Sequence, residues 1–307
     1  MSSLMLPSDL LGIAESCYFP LRLTIAEPTR RQYRIAFHDF GSFLGRPATT
    51  ADLDDDLITM WMRKRLNDGL AVVTVRERAG RVATMWTWMA KRRMVQTFPT
   101  FTKPVPPESL PQALSEDELR RLFASARKER GTIGSIPADL WWISFLAFVW
   151  NTSERKSAAL AVRVKWIDLG QSVATVPPEV RKGGKKWAVY QLWPETLPLL
   201  AAVIAVDPAR ELVWPFPFCA GSYYTRYDRI LRDAGLPVSR KTKTHCLRCS
   251  HATWRSVAGG DATRALGHSD PQTTRKYYLD PRFQKPDTGR LFIPWGNSTN
   301  PPGNPPS

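Results

Sequence analysis

The chain has 307 residues, and Lys and Arg outnumber Asp and Glu by 43 to 28, which gives a formal net charge of +15. Such an excess favours a polyanionic partner, because cationic side chains bind phosphates and release counterions. Four cysteines make no disulfide framework in so long a chain, no secretory signal is visible, and the most apolar window, residues 138–150, is too short to span a membrane. We therefore expect a cytoplasmic, nucleoid-associated protein with two domains and no membrane contact.

The first part of the chain is predicted to be helical. Residues 1–25 carry no strong pattern, which is typical of a loosely attached arm. Apolar residues at helical spacing then predict three helices, beginning near Thr29, Asp54 and Thr74. The arginines on the polar faces of the third helix suit either a DNA backbone or water. We expect a helical domain over residues 26–96.

A change of composition marks a domain boundary. Residues 97–113 contain five prolines, each of which lacks an amide hydrogen and biases its predecessor towards extended backbone. This predicts a stiff linker. The second domain, residues 114–285, begins with a capping box at Ser115 for the helix that follows. The Pro/Gly/Asn/Ser-rich tail, residues 286–307, is predicted to be partly disordered.

The second domain alternates helical and strand patterns. Residues 140–149 are apolar except for Ser144 and predict a buried helix, shortly before Arg155. Two alternating segments, residues 172–177 and 187–192, predict a hairpin whose turn is Gly183-Gly184. The residues between them are strongly cationic. A charged turn is usually only solvated, and a lone arginine after a helix is usually a surface residue, so neither would be singled out alone.

The segment from His245 to Tyr278 combines several groups that can bind and attack a phosphodiester. His245 and Arg248 are three residues apart and share one face if they lie on a helix. Further on, His268 is followed by a helix that starts at Pro271 and carries a tyrosine about two turns along.

These residues resemble the motifs of the tyrosine recombinase (phage integrase) family. The box His-x-Leu-Arg stands at residues 245–248, and the block Leu-Gly-His-x-x-x-x-Thr-Thr-x-x-Tyr runs from Leu266 to Tyr277. Thr152-Ser-Glu-Arg155 matches the box Thr-Gly-x-Arg, and Lys182, rather than Lys185, matches the hairpin lysine. The resemblance covers residues 115–280.

The resemblance implies a mainly α fold with a small antiparallel β-sheet: a helical, SAM-like core-binding domain and a mixed α/β catalytic domain. It implies a site-specific DNA recombinase or integrase of a mobile element or host system. Such an enzyme acts as a homotetramer on paired sites in double-stranded DNA, through a 3′-phosphotyrosine intermediate, without cofactor, metal or ATP. The expected catalytic residues are Arg155, Lys182, His245, Arg248, His268 and Tyr277.

The resemblance also assigns the roles. Arg155 and Arg248 would clamp the non-bridging oxygens, on which charge develops during attack. Tyr277 would be the nucleophile, with His245 assisting transfer of its proton. Lys182 would protonate the leaving oxygen. His268 would hydrogen-bond the phosphate.

The chain departs from the family pattern at several positions. Ser153 replaces the usual glycine, and Ala158 stands where an acidic residue is common. The link from Asp261 to Gly267 is about three residues short, nearly one helical turn, which bears on the orientation of the next histidine. Tyr278 is a rival nucleophile, and the nine-residue step from the histidine of Leu-Gly-His favours Tyr277.

Other interpretations remain open. A relative that binds DNA but has lost cleavage, or a topoisomerase of type IB chemistry, has the same motifs. Cys246 and Cys249, beside His245 and His251, invite a zinc site, but no second ligand pair has suitable spacing.

Overall fold

The computed structural model describes residues 9–23, 25–183 and 186–284. The chain divides into two compact units, one ending at Ser109 and the other beginning at Leu110. This boundary falls inside the predicted linker. The predictions for the first eight residues, for Lys185 and for the tail from residue 286 lie outside the described residues.

The first unit is helical. Its α-helices are α1 (Leu10–Ile13), α2 (Glu27–Leu44), α3 (Asp55–Asn67) and α4 (Val72–Lys91). The last three match the predicted helices within a few residues, and their apolar stripes meet in one core. In that core the rings of Phe40 and Trp61 lie 5.0 Å apart between centroids, and Trp86 is 1% exposed.

Residues 9–23 are not the loose arm that was expected. Leu10, Ile13, Tyr18 and Phe19 are each at most 2% exposed in the core of this unit. The hydroxyl oxygens of Tyr18 and Tyr33 are 2.9 Å apart. The apolar residues lie on a single turn of α-helix followed by a π-helical turn, Ala14–Tyr18. So short a segment does not develop the long helical period by which the other helices were recognised.

The second unit is mainly helical, as predicted, and contains two small antiparallel sheets where one was expected. Its helices are α5 (Glu116–Ala126), α6 (Ala138–Thr152), α7 (Lys156–Leu160), α8 (Leu197–Ala205), α9 (Ala220–Asp233), α10 (His245–Val257), α11 (Ala262–Leu266) and α12 (Pro271–Tyr278). Its strands are β1 (Thr132–Ile133), β2 (Ile136–Pro137), β3 (Ile167–Asp168), β4 (Val173–Val176) and β5 (Ala188–Gln191). Strand β1 pairs with β2, and the other sheet has the order β3-β4-β5.

The predicted capping box at Ser115 is confirmed. The Ser115 hydroxyl accepts from the amide of Glu118, and the Glu118 carboxylate accepts from the amide of Ser115.

Helix α6 is the predicted buried helix and forms the centre of this unit. Trp141, Trp142, Phe145 and Phe148 are all fully buried. The rings of Trp141 and Phe145 stack at 5.0 Å, and Trp214 contacts Phe148 at 4.9 Å between centroids. A helix whose side chains are packed this closely has little freedom to shift. Its last turn therefore fixes the backbone that leads to Arg155.

The predicted strands around the cationic loop are confirmed, with Ala174 opposite Tyr190 in the register of β4 and β5. The predicted Gly183-Gly184 turn stays a prediction, because Gly184 lies outside the described residues. Within those residues, a 3₁₀ turn, Pro178–Val180, follows β4. Proline at 177 and 178 ends the ladder early, because it has no amide to donate. Within the described ranges, no helix is long and apolar enough to cross a bilayer.

Candidate active site

The site begins where α6 ends. Ser153 caps the helix in the left-handed conformation, with φ of 54°, and is fully buried. A left-handed backbone costs a non-glycine residue about 1 kcal/mol or more, which explains why glycine is usual at this position. The conformation turns the Ser153 carbonyl towards Arg248, whose Nη1 donates to it, while the Ser153 hydroxyl donates to the Ala265 carbonyl at 3.1 Å.

Arg248 lies one turn into α10 and is 1% exposed. Its Nη2 donates to the Leu266 carbonyl at 2.6 Å, and its Nε has no hydrogen-bond partner within the described residues. Burial and the neighbouring charge of Arg155 lower the pKa of Arg248. Among the residues that the structure describes, no carboxylate forms an ion pair with this guanidinium. A buried cation with an unused donor is suited to an anionic ligand.

His268 is placed by a left-handed glycine. Gly267, with φ of 66°, ends α11, and the His268 amide returns to the Thr263 carbonyl at 3.1 Å. Its ring Nδ1 lies 2.9 Å from Thr274 Oγ1, and its Nε2 lies 3.4 Å from Arg248 Nη2. Despite the shortened link, this turn brings His268 to the cluster.

Both histidines of the cluster are held in the neutral form. Burial and the charge of Arg248 lower the pKa of His268 to about 4 and also lower the pKa of His245. Because Arg248 can only donate, its neighbour Nε2 of His268 must accept, and the proton of that ring lies on Nδ1 towards Thr274. His245, the first residue of α10, has no such constraint and can accept a proton.

Tyr278, rather than Tyr277, faces this cluster. The Tyr278 ring lies 4.7 Å from the His268 ring and 5.4 Å from the His245 ring, between centroids, and 5.6 Å from Arg248 Cζ. Tyr278 is 8% exposed, whereas Tyr277 is 56% exposed.

The orientation of α12 explains this difference from the expectation. Thr274 is buried at 1% exposure, where it contacts His268, and Tyr278 is four residues further along the same helix face. Tyr277 points about 100° away. The sequence contained a signal for this choice, because a tyrosine four residues after Thr274 lies on the same helix face. A count of residues from His268 ignores helix faces.

The remaining predicted residues line one cleft. A cavity of about 1030 Å³ is bounded by Arg155, Lys182, His245 and Tyr278, among others. The Arg155 guanidinium makes no hydrogen bond or ion pair with any residue that the structure describes. The structure thus brings together five of the six expected residues, with Tyr278 in place of the sixth.

Sequence reasoning missed two residues that also line this cleft, Tyr224 and Lys243. The Lys243 ammonium pairs with Asp228 and lies 5.3 Å from the centre of the Tyr224 ring. The ammonium of Lys156 lies 4.2 Å from the same ring. Tyr224 therefore lies between two cations at the edge of the site.

The two thiols of the Cys-x-x-Cys pair contact backbone carbonyl oxygens. Cys246 Sγ donates to the Gln112 carbonyl at 3.2 Å, and Cys249 Sγ lies 3.8 Å from the Tyr277 carbonyl. Burial raises the pKa of Cys246 to about 11 and that of Cys249 to about 12. Protonated, buried thiols are poor metal ligands, because zinc binds the thiolate.

Residues 112–285 match the model of the phage integrase family, which is more than half of the chain. The chain belongs to the phage integrase family. As a member it is a tyrosine-type DNA strand transferase. A curated relative, tyrosine recombinase XerC of Xanthomonas axonopodis pv. citri (strain 306), is 25% identical over 244 residues, which are 76% of each chain.

Solved structures share the fold of this integrase-family chain. A lambda integrase dimer bound to a COC′ core site superposes with a TM-score of 0.68 at 14% identity, covering 90% of this chain and 94% of the other. The XerH site-specific recombinase bound to palindromic difH substrate, a post-cleavage complex, gives a TM-score of 0.66 at 18% identity, covering 82% and 77%. The Tn1549 transposon integrase in complex with a circular intermediate DNA gives 0.67 at 11% identity, covering 88% and 95%.

Proposed function

We propose that this chain is a site-specific recombinase that cleaves and rejoins double-stranded DNA through a 3′-phosphotyrosine intermediate on Tyr278. The observation that carries the proposal is the enclosure of the Tyr278 ring by His245, His268 and the buried guanidinium of Arg248. Tyr277, which the spacing of the motif favoured, lies in solvent. The structures of lambda integrase, XerH and the Tn1549 integrase that share this fold are complexes with DNA, which supports the same substrate.

The positions of the groups support the following reaction. The Tyr278 oxygen attacks the phosphorus, a Tyr–O–P bond forms, and the bond from phosphorus to the 5′-oxygen breaks. Neutral His245 accepts the tyrosine proton, and Lys182 gives a proton to the departing 5′-oxygen. Arg155 and Arg248 bind the non-bridging oxygens, which satisfies the unused Nε donor of Arg248.

In this structure, His268 acts on Arg248. Its two ring nitrogens contact Thr274 and Arg248, so it holds the guanidinium in place. Its expected hydrogen bond to the phosphate stays a prediction.

The cations of the site make metal assistance unnecessary, since two arginines and a lysine supply positive charge at the phosphate. The phosphotyrosine conserves the energy of the broken bond, so rejoining needs no ATP. Adduct formation is therefore expected in EDTA without nucleotide.

We also propose a tetramer on two paired sites, in keeping with action on chromosomal or mobile DNA at the nucleoid. Sizing of complexes formed with two site-bearing duplexes tests that assembly.

Because the target sequence is unknown, the test has two stages. DNA that becomes covalently bound to the protein in cells is recovered and sequenced, which defines a site. A duplex of that site, nicked beside the scissile phosphate so that the cleaved fragment diffuses away, then traps the intermediate. We expect a covalent adduct with wild type and with Tyr277→Phe, and none with Tyr278→Phe.

Other outcomes would assign another function. Binding of the recovered site without any adduct would identify a relative that has lost cleavage. Relaxation of supercoiled DNA without site preference would identify a topoisomerase.

A further inference from the structure

Glu154 is a buried carboxylate to which the reaction gives no role. It is 1% exposed and lies directly before Arg155. Its Oε1 accepts from Arg181 Nε at 2.5 Å and from the Tyr190 hydroxyl at 2.5 Å, and its Oε2 accepts from the Arg155 amide at 3.0 Å. Burial and the charge of Glu154 raise the pKa of Tyr190, which keeps this hydroxyl protonated as a donor.

The partner, Arg181, lies directly before Lys182. Its side chain is 13% exposed, and its Nη1 donates to the Lys186 carbonyl at 3.4 Å. A Cβ at Gly267 would lie 3.2 Å from Arg181 Nη2, so the guanidinium also packs against the turn that places His268. One ion pair therefore connects the residue before Arg155 to the residue before Lys182.

The loop that carries Lys182 needs such an attachment. Residues 177–183, which include Lys182, lie outside the β4–β5 ladder, so pairing of the strands does not fix their position. A buried ion pair with its remaining acceptor sites filled is costly to break, because removal of one charge leaves the other unpaired. Glu154 thus ties the loop to the backbone that α6 holds.

We propose that the Glu154–Arg181 pair positions Lys182 for protonation of the leaving 5′-oxygen. This inference rests on the proposed function. The pair touches neither the phosphate nor the nucleophile, so Glu154 and Arg181 are positioning residues. Loss of alignment by about 1 Å can slow an enzymatic step about 100-fold, and this is the size of the defect we expect.

The test uses two nicked substrates of the same sequence, one ordinary and one with sulfur in place of the 5′-bridging oxygen. A thiolate leaves without a proton, so the sulfur substrate does not need Lys182. We expect Glu154→Gln and Lys182→Met each to slow adduct formation about 100-fold on the ordinary substrate and to recover most of the rate on the sulfur substrate. Arg155→Gln, which loses a phosphate contact, should be slow on both.

Three further variants separate positioning from folding. Tyr190→Phe removes a neutral hydroxyl and keeps the ion pair, so we expect a loss of less than about tenfold. Arg181→Lys keeps the charge and should retain more activity than Arg181→Met. The inference is overturned if Glu154→Gln matches wild type on the ordinary substrate, or if its defect is the same on both substrates. If wild type forms no adduct with either substrate, the proposed function fails and the inference fails with it.

Discussion

The rings of Tyr278 and His268 lie 4.7 Å apart and are inclined at 61° to each other. This contact holds the tyrosine beside Arg248, and it exists because Thr274, on the same face of α12, binds the other side of the histidine ring. A single helix face therefore determines which of two adjacent tyrosines lies beside Arg248. The consequences can be tested at several positions of the site.

Ser153 tests the strained turn after α6. Ser153→Gly relieves the left-handed backbone but loses the hydrogen bond to Ala265, so we expect its free energy of unfolding to stay within about 1 kcal/mol of wild type. Ser153→Val places a β-branched residue at positive φ and should lose about 2 kcal/mol or more. Denaturant unfolding measures both. Equal stability of the valine variant and wild type would rule out strain at this turn.

His251 tests the effect of pH on folding. It is 6% exposed, its Nδ1 donates to the Trp150 carbonyl at 2.6 Å, and burial lowers its pKa to about 4. The unfolded chain binds this proton near pH 6.5, so its contribution to stability is complete above 6.5 and is lost as the pH falls towards 4. The loss amounts to about 3 kcal/mol.

Urea unfolding at a series of pH values checks the prediction. The slope between pH 6.5 and 4 should be smaller in His251→Gln than in wild type. His38→Gln, which changes an exposed histidine, is the matched control and should keep the wild-type slope. An unchanged slope in His251→Gln would show that this ring does not stay neutral in the fold.

The pH dependence of cleavage tests the neutral histidines of the site. Burial and the charges of Arg248 and Arg155 lower the pKa of His245, so it remains able to accept a proton below its ordinary value of 6.5. We expect the single-turnover rate of adduct formation to stay level as the pH falls from 8 to 6.5. A rate already halved above pH 6.5 would contradict the lowered pKa.

Substitution of Lys243 tests the role of the two cations that lie beside the Tyr224 ring. If its ammonium meets a phosphate beside the scissile one, Lys243→Gln should reduce the slope of log binding constant against log salt by about 1. Lys165→Gln, which changes an exposed lysine that does not line the cleft, is the control. Identical slopes for the two variants would show that Lys243 makes no contact of its own.

Much of this architecture could be predicted from the sequence. The apolar run of α6, the alternation of β4 and β5 and the periods of α2 to α4 reflect burial patterns that one segment carries by itself. Arg248 and His268 were identifiable because a family motif contains them.

The parts that were not predicted depend on contacts between distant segments. The burial of Tyr18 requires the surface formed by α2 and α4, and the role of Glu154 requires Arg181, 27 residues away in the chain. The choice between the two tyrosines depends on how α12 is rotated, which Thr274 fixes through His268. The spacing of residues in the sequence reveals neither these contacts nor the rotation of the helix.

The most direct measurement is the identity of the residue that carries DNA. The trapped adduct is digested with nuclease and trypsin, which releases residues 277–282 as one peptide containing both tyrosines. Tandem mass spectrometry then locates the attached nucleotide within it. We expect the nucleotide on Tyr278, and a nucleotide on Tyr277 would contradict the arrangement on which the proposed mechanism depends.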